Sequence, residues 1–229
     1  MQNPRQSYVH RGDRARRWSR IRKTLLVVGL IAAVAILPRE RPTEAIASAV
    51  PFISGRSDAS RELQQQLDAA RGELDLVKAQ LQRADTVMMY SSRYKIGADL
   101  AGSIYDIALA EGIDPELGFR VVNVESEFNP HAISSAGAIG LTQVMPSTAR
   151  YFRKGITREG LFDARTNLRI GFRYLRGLIK DYGGNVKLAL LVYNRGPATV
   201  ASLQARGIDP RNGYGRLVTK GYTGKGVID

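Results

Sequence analysis

Apolar positions along this chain fall into three successive patterns. The first is an unbroken apolar run from Leu25 to Leu37, within "TLLVVGLIAAVAILP". The second is a repeat of seven. Leu67, Leu74, Leu81 and Met88, interleaved with Leu63, Ala70, Val77 and Ala84, fill the a and d positions of nearly four heptads. From about residue 91 a third pattern takes over, a series of short amphipathic helices. Ile96, Leu100, Ile104 and Ile107 share one face of a helix that stops at Gly112. Asp114 caps the next helix, Pro115 opens its first turn, and it stops before Pro130. Leu168, Phe172, Leu175 and Ile179 line a third that ends at Gly183; Asn185 caps a fourth running to Gly196-Pro197, and "PATVASLQARG" supplies a fifth. No stretch alternates as a strand does. Residues 91–229 are therefore expected to form an all-α domain with its own core.

The apolar run covers 13 residues, about 20 Å of helix against roughly 30 Å of bilayer core, so a membrane anchor and a secretory signal compete for it. The flanks favour an uncleaved anchor. Pro38, Arg39, Glu40, Arg41 and Pro42 separate the run from the first small-residue cleavage site, Ala45-Ile46-Ala47, while Arg22, Lys23, Arg39 and Trp18 suit the two interfaces. Residues 1–23 then read as a basic cytoplasmic tail, 24–38 as the membrane segment, 39–57 as a linker and 58–90 as a coiled-coil stalk about 40 Å long. Self-association through the stalk is expected, with a single helix folding back on the domain as the alternative. Gly72 and the alanines at d positions make any pairing weak.

Charge changes this picture little. The net charge is +13, but the first 23 residues hold eight basic residues against Asp13 alone, so the excess is concentrated at the membrane flank and no nucleic-acid partner is expected. From Lys95 onward 18 basic residues face 12 acidic ones, a balance that suits an anionic polymer or simply a soluble surface. The chain has no cysteine, which removes disulfides and thiolate chemistry. Its two histidines, His10 and His131, make no ligand pair, so no metal is expected. The glycines of "SAGAIG" lack the lysine ending and the preceding strand of a phosphate loop. Gly137 and Gly140 are expected instead to let the backbone approach a ligand.

Candidate chemistry sits at the end of the helix opened by Asp114. With Leu117, Val121, Val124 and Phe128 as the buried stripe, Glu125 and Glu127 fall about 80° to either side of it. A carboxyl half-buried in this way resists ionisation and keeps the proton a general acid needs. Geometry alone does not choose between the two, and both also fit ordinary boundary glutamates.

The surrounding motifs choose. Glu125-Ser126, "NPHAISSAGAIGLTQVMPSTA", "NLRIGFRYL" at 167–175 and "LVYNRGP" at 191–197 together resemble the lytic transglycosylases of the soluble-transglycosylase type, relatives of goose-type lysozyme. The resemblance covers nearly all of residues 95–200, in the right order, and reaches neither the anchor nor the stalk. It implies a lysozyme-like helical fold with Glu125, of the Glu-Ser pair, as its one catalytic carboxylate. It further implies that Ser134 lies close to the reacting sugar, that Gln143 and Met145 line sugar subsites, and that Tyr193 and Asn194 close the other wall and orient the glutamate. Two departures stand out: Thr142 replaces the usual Met, and Val192 and Arg195 replace the usual alanines around Tyr-Asn.

A glycosidase ordinarily uses two carboxylates. Between Phe128 and Arg158 there is no Asp or Glu, so this segment gives Glu125 no second one. The resembled family works with one and with no cofactor, closing the muramic acid 6-hydroxyl onto the anomeric carbon to leave a 1,6-anhydro sugar. The implied function is cleavage of peptidoglycan glycan strands by a single-pass bacterial inner-membrane enzyme whose catalytic domain lies in the periplasm, or in a cleaved, secreted form. A hydrolytic muramidase of the goose-lysozyme kind and a non-catalytic wall-binding scaffold are the alternatives.

Overall fold

Long and short helices alternate with tight glycine turns in this protein, whose computed structural model describes residues 53–228. The basic tail, the membrane segment at 24–38 and most of the linker lie outside the described residues. Within the described residues no helix is long and apolar enough to cross a membrane. The chain divides into two units, Met1–Leu63 and Gln64–Asp229. In order, the helices are α1 (Ile53–Tyr94), α2 (Ala98–Ala110), α3 (Pro115–Ser126), α4 (Pro146–Phe152), a 3-10 turn (Glu159–Leu161), α5 (Ala164–Asp181), α6 (Val186–Arg195), α7 (Pro197–Ala205) and α8 (Tyr214–Val218). The only extended pairing among the described residues is isolated bridges, Ile113 with Val227 and Ile139 with both Ile133 and Val144. The fold is all-α, as the spacing of apolar residues predicts.

Helix starts follow their caps. Asp114 accepts from the Glu116 N–H at 2.9 Å, Asp163 from Thr166 N–H at 2.8 Å and Asn185 from Leu188 N–H at 3.1 Å, each satisfying a donor the first turn leaves unpaired. α2, α3, α5 and α6 close around Ile104, Leu117, Phe119, Leu168, Phe172, Leu175 and Leu190, all fully buried. Gly118 lets Phe172 and Ala108 press against α3, where a methyl group would crowd both. A smaller cluster of Ile139, Val144, Ala149, Leu161 and Ile170 sits under the loop between α3 and α4.

Two features differ from the sequence pattern. α1 runs without a break through residue 90 to Tyr94, and its last turns belong to the core of the second unit. Val87 and Tyr90 are buried, Tyr90 stacks on Phe119 with ring centroids 4.0 Å apart, and Arg83 makes a two-pronged contact with Asp106 at 2.7 and 2.6 Å. Helix α3, expected to reach towards Pro130, stops at Ser126 because Glu127 and Phe128 take left-handed backbone angles, φ 50° and 64°. Phe128 is buried from this turn rather than from the helix stripe, and Val124 is only half-buried.

Candidate active site

The early end of α3 separates the two glutamates. Glu125 is the second-last residue of the helix and half-buried; Glu127, past the helix end in the left-handed turn, is exposed. Two successive non-glycine residues with positive φ are costly, on the order of 1–2 kcal/mol each. Packing offsets that cost, since Phe128 wedges against Tyr94 at 5.1 Å and Ser126 Oγ donates to the carbonyls of Leu141 at 2.9 Å and Val122 at 3.1 Å. The Ser126 bonds tie the end of the helix to the loop that follows.

Burial pushes the Glu125 carboxyl up from 4.5 to about 7, against the opposing effect of a hydrogen bond donated by Tyr214 Oη to Glu125 Oε1 at 2.5 Å. No second carboxylate contributes to the shift. Tyr214 and Tyr193 are themselves pushed well above the ordinary tyrosine value, by burial first and then by the nearby Glu125, so both hydroxyls remain donors around neutrality. A carboxyl that gains and loses its proton near pH 7 is equipped to act as acid and then as base in one turnover.

The other candidates divide into two groups. Tyr193 and Asn194 stand at the end of α6 on the Glu125 side. Tyr193 Oη donates to the Thr142 carbonyl at 2.7 Å, and Asn194 Oδ1 accepts from Asn212 Nδ2 at 2.7 Å. Asn212 in turn accepts from the Tyr214 N–H at 3.2 Å, so Asn194, Asn212, Tyr214 and Glu125 form one connected series from α6 to α3. Ser134, Gln143 and Met145 belong to the loop before α4. Ser134 Oγ accepts from the Ala138 N–H at 3.0 Å, and Gln143 Nε2 donates to the carbonyls of Gly140 at 2.9 Å and Ala132 at 3.2 Å, from a left-handed backbone with φ 47°. Met145 is exposed just ahead of α4. Neither Ser134 nor Gln143 bonds Glu125; both shape the loop beside it.

Three residues to which the resemblance assigns no role hold this arrangement. Tyr214, 89 positions from Glu125, supplies the hydroxyl that meets the carboxyl. Asn167 is fully buried and works as a hub. It accepts from the Thr142 amide at 2.9 Å and hydroxyl at 2.7 Å, and donates to the carbonyls of Ile139 at 2.8 Å and Leu161 at 3.0 Å. Thr142, the departure from the usual Met, is fully buried as well, and Gly171 leaves the space its side chain fills. Gly140 has an internal reason also: at φ 78°, a methyl group there would meet the Asn167 side chain and the Leu161 carbonyl. A cavity of about 770 Å3 lies along α6 and the segment leading to Tyr214, lined by Lys187, Leu191, Asp209, Arg211, Asn212 and Arg216. It borders the Asn212 end of the series rather than Glu125 itself, so the chemistry is assigned from the carboxyl's own surroundings.

Comparison with known proteins places a family on this part of the chain. Residues 103–208 match the transglycosylase SLT domain family. The soluble lytic murein transglycosylase of Escherichia coli strain K12 is 36% identical over 94 residues, covering 38% of this chain and 15% of its own. The membrane-bound lytic murein transglycosylase C of Haemophilus ducreyi is 42% identical over 78 residues, 31% of this chain and 21% of its own. The solved 70 kDa soluble lytic transglycosylase of Escherichia coli aligns with 56% of this chain and 24% of its own, at 27% identity and a TM-score of 0.45. The chain thus spans less than a quarter of the length of each of these relatives. The segments that carry Glu125-Ser126, Gln143 and Tyr193-Asn194 all fall inside the matched residues, and residues 103–208 form a transglycosylase SLT domain.

Proposed function

We propose that the chain is a peptidoglycan lytic transglycosylase that cleaves the β-1,4 bond between N-acetylmuramic acid and N-acetylglucosamine. The observation that carries this reading is Glu125: a lone buried carboxyl titrating at about 7, held by one tyrosine hydroxyl, on an SLT domain. Protonated Glu125 donates to the bridging O4 as the C1–O4 bond breaks, with the substrate's N-acetyl group assisting departure. The carboxylate then takes the proton of the muramic acid 6-hydroxyl as O6 bonds to C1. Atoms balance without water, and the product is a 1,6-anhydro end. One carboxylate suffices because the nucleophile belongs to the substrate, which fits a site where no second acid acts on Glu125.

In this reading Met145 and the loop shaped by Ser134 and Gln143 line the sugar subsites on one side, and Tyr193 and Asn194 line the other. The apolar run at 24–38 anchors the chain in the bacterial inner membrane, with the SLT domain on the periplasmic side. Relatives whose names call them membrane-bound support an association with a membrane.

The test is mass spectrometry of fragments released from purified peptidoglycan by the full chain and by Glu125→Gln. Anhydro-muramyl ends that disappear in the variant are expected. Reducing ends in their place, heavier by one water, would make the enzyme a hydrolase, and no release by the full chain would remove the enzymatic reading.

A further inference from the structure

Helix α1 meets the rest of its unit with one face and leaves another bare. The contacts to the domain come from Arg83, Val87, Tyr90 and Tyr94. The face carrying the seven-residue repeat points elsewhere, roughly 120° around the helix at 100° per residue. Its leucines remain open to solvent although they form a continuous stripe: Leu67 is 45% exposed, Leu74 53%, Leu81 62% and Met88 58%. Six exposed large apolar side chains in one line, counting Leu63 and Val77, are more than a solvated helix needs. Folding back of the helix, the alternative left by the sequence, does not cover them.

We propose that this stripe is an interface for a second copy of the chain, lying parallel to the first and in register. The width of the stripe fits that occupant. It uses two positions in seven, the narrow seam of two packed helices, rather than the broader face that a globular surface would bury. Small Ala70 and Ala84 at d positions let the two backbones approach, and Leu67, Leu74 and Leu81 at a positions supply the apolar layers.

Charge selects the direction. In a parallel pair each g position faces the e position five residues further along the second copy. Glu73 then meets Lys78 of the second copy, twice by symmetry, while Gln66 faces Arg71 and Gln80 faces Asp85, with no like charges opposed. An antiparallel pair with full overlap of the same stripe sets Leu74 against Val77 and Ala70 against Leu81. That arrangement brings Arg71 to Lys78 of the second copy, again twice, as like charges. Each such pair is modest alone, but the two orientations differ in sign. Lys78 lies 3.6 Å from Asp75 on its own exposed helix surface, a loose contact that leaves its ammonium free to turn towards Glu73. A parallel pair carries both SLT domains at the same end.

The absence of cysteine makes the orientation readable, because a single introduced thiol has no competitor. Ala70→Cys and Ala84→Cys place it at exposed d positions, and Ala79→Cys on the opposite face serves as the control. The full chain is oxidised mildly in excess detergent, so that shared micelles do not pair chains, and covalent dimers are read on a non-reducing gel. Disulfide-linked dimers from both Ala70→Cys and Ala84→Cys, above the Ala79→Cys level, are expected. Adding Leu74→Glu and Leu81→Glu to Ala84→Cys should return its dimer to the control level; both leucines are exposed, so the fold is not at risk. Cross-linking only in a mixture of Ala70→Cys and Leu81→Cys chains would overturn the parallel orientation. No dimer above control would overturn self-association and leave the stripe to a different protein. Neither result depends on glycan cleavage.

Discussion

Glu125→Gln should abolish this protein's chemistry at every pH, and should make the fold more stable only above mildly acidic pH. The carboxyl titrates at about 7 in the folded protein against 4.5 when unburied, and burial is the cause. A group whose folded value is raised supports the fold fully below its unfolded value, and that support is lost as pH rises from about 4.5 through about 7. At about 1.4 kcal/mol for each pH unit between the two values, the loss is complete above pH 7 and amounts to at most about 3.5 kcal/mol. Glutamine has the same shape, accepts the Tyr214 hydrogen bond and never ionises, so the variant does not suffer the loss.

The assay is urea unfolding of wild type and Glu125→Gln at pH 5 and pH 8, with stability extrapolated to water. At pH 5 the two should differ by about 1 kcal/mol or less in the pH-dependent part, and at pH 8 the variant should gain about 2–3 kcal/mol on the wild type. A difference that stays constant between the two pH values would refute the reasoning, since Glu125 would then ionise as an ordinary surface glutamate does. Glycan release, measured in parallel, should be absent from the variant at both.

Other perturbations test the parts around the carboxyl. Tyr214→Phe removes the donor that favours the charged form. The descending limb of kcat/KM against pH, where Glu125 loses its proton, should move upward by about one pH unit, since a hydrogen bond to a charged group is worth about 1.5–3 kcal/mol. An unmoved limb would reduce Tyr214 to packing. Asn167→Ala strands the Thr142 amide and the carbonyls of Ile139 and Leu161 in the interior, and should cost about 3 kcal/mol or more by chemical denaturation; a cost below about 1 kcal/mol would show that the loop has other support. Tyr90→Ala should cost about 3 kcal/mol by opening the face of Phe119, and a fragment starting at residue 91 should be destabilised at least as much. A fragment as stable as the full chain would exclude α1 from the core.

What the sequence makes legible here is local and periodic. The caps at Asp114 and Asn185 and the stripes of α2 and α5 follow from patterns contained within a few turns. The Glu-Ser and Tyr-Asn pairs are legible for a different reason, because their order along the chain resembles a family. The end of α3 is not readable from periodicity. The apolar spacing continues through Phe128, but the Ser126 bond to Leu141 and the burial of Phe128 in a left-handed turn override it, and both depend on residues that periodicity does not connect. Thr142 looks like a weakened motif in the sequence, yet it is half of a buried pair whose other half, Asn167, lies 25 residues away. Tyr214 carries no local signal whatever. α8 is five residues long, and only the folded chain brings it to Glu125.

Tyr214 also tunes the Glu125 carboxyl. Helix α3 is braced at both ends by residues beyond 208, where the family match stops. At its start Tyr222 Oη donates to Asp114 Oδ2 at 2.7 Å, Gly226 N–H donates to Tyr222 Oη at 2.9 Å, and Arg120 reaches the Lys220 carbonyl at 2.6 Å. At its end stands Tyr214. The tyrosine acts on Glu125 in two opposed ways: its ring contributes to the burial that raises the carboxyl, and its hydroxyl donates the bond that lowers it. Tyr214→Phe keeps the first and removes the second, so Glu125 becomes a weaker acid. A chain ending at residue 208 removes both, and returning water to the carboxyl outweighs one lost bond because burial is the larger effect. Truncation should therefore move the pH limb down while Tyr214→Phe moves it up, or should leave α3 too poorly held to act at all. Limbs that shift in the same direction would show that the carboxyl owes its burial to the matched segment alone.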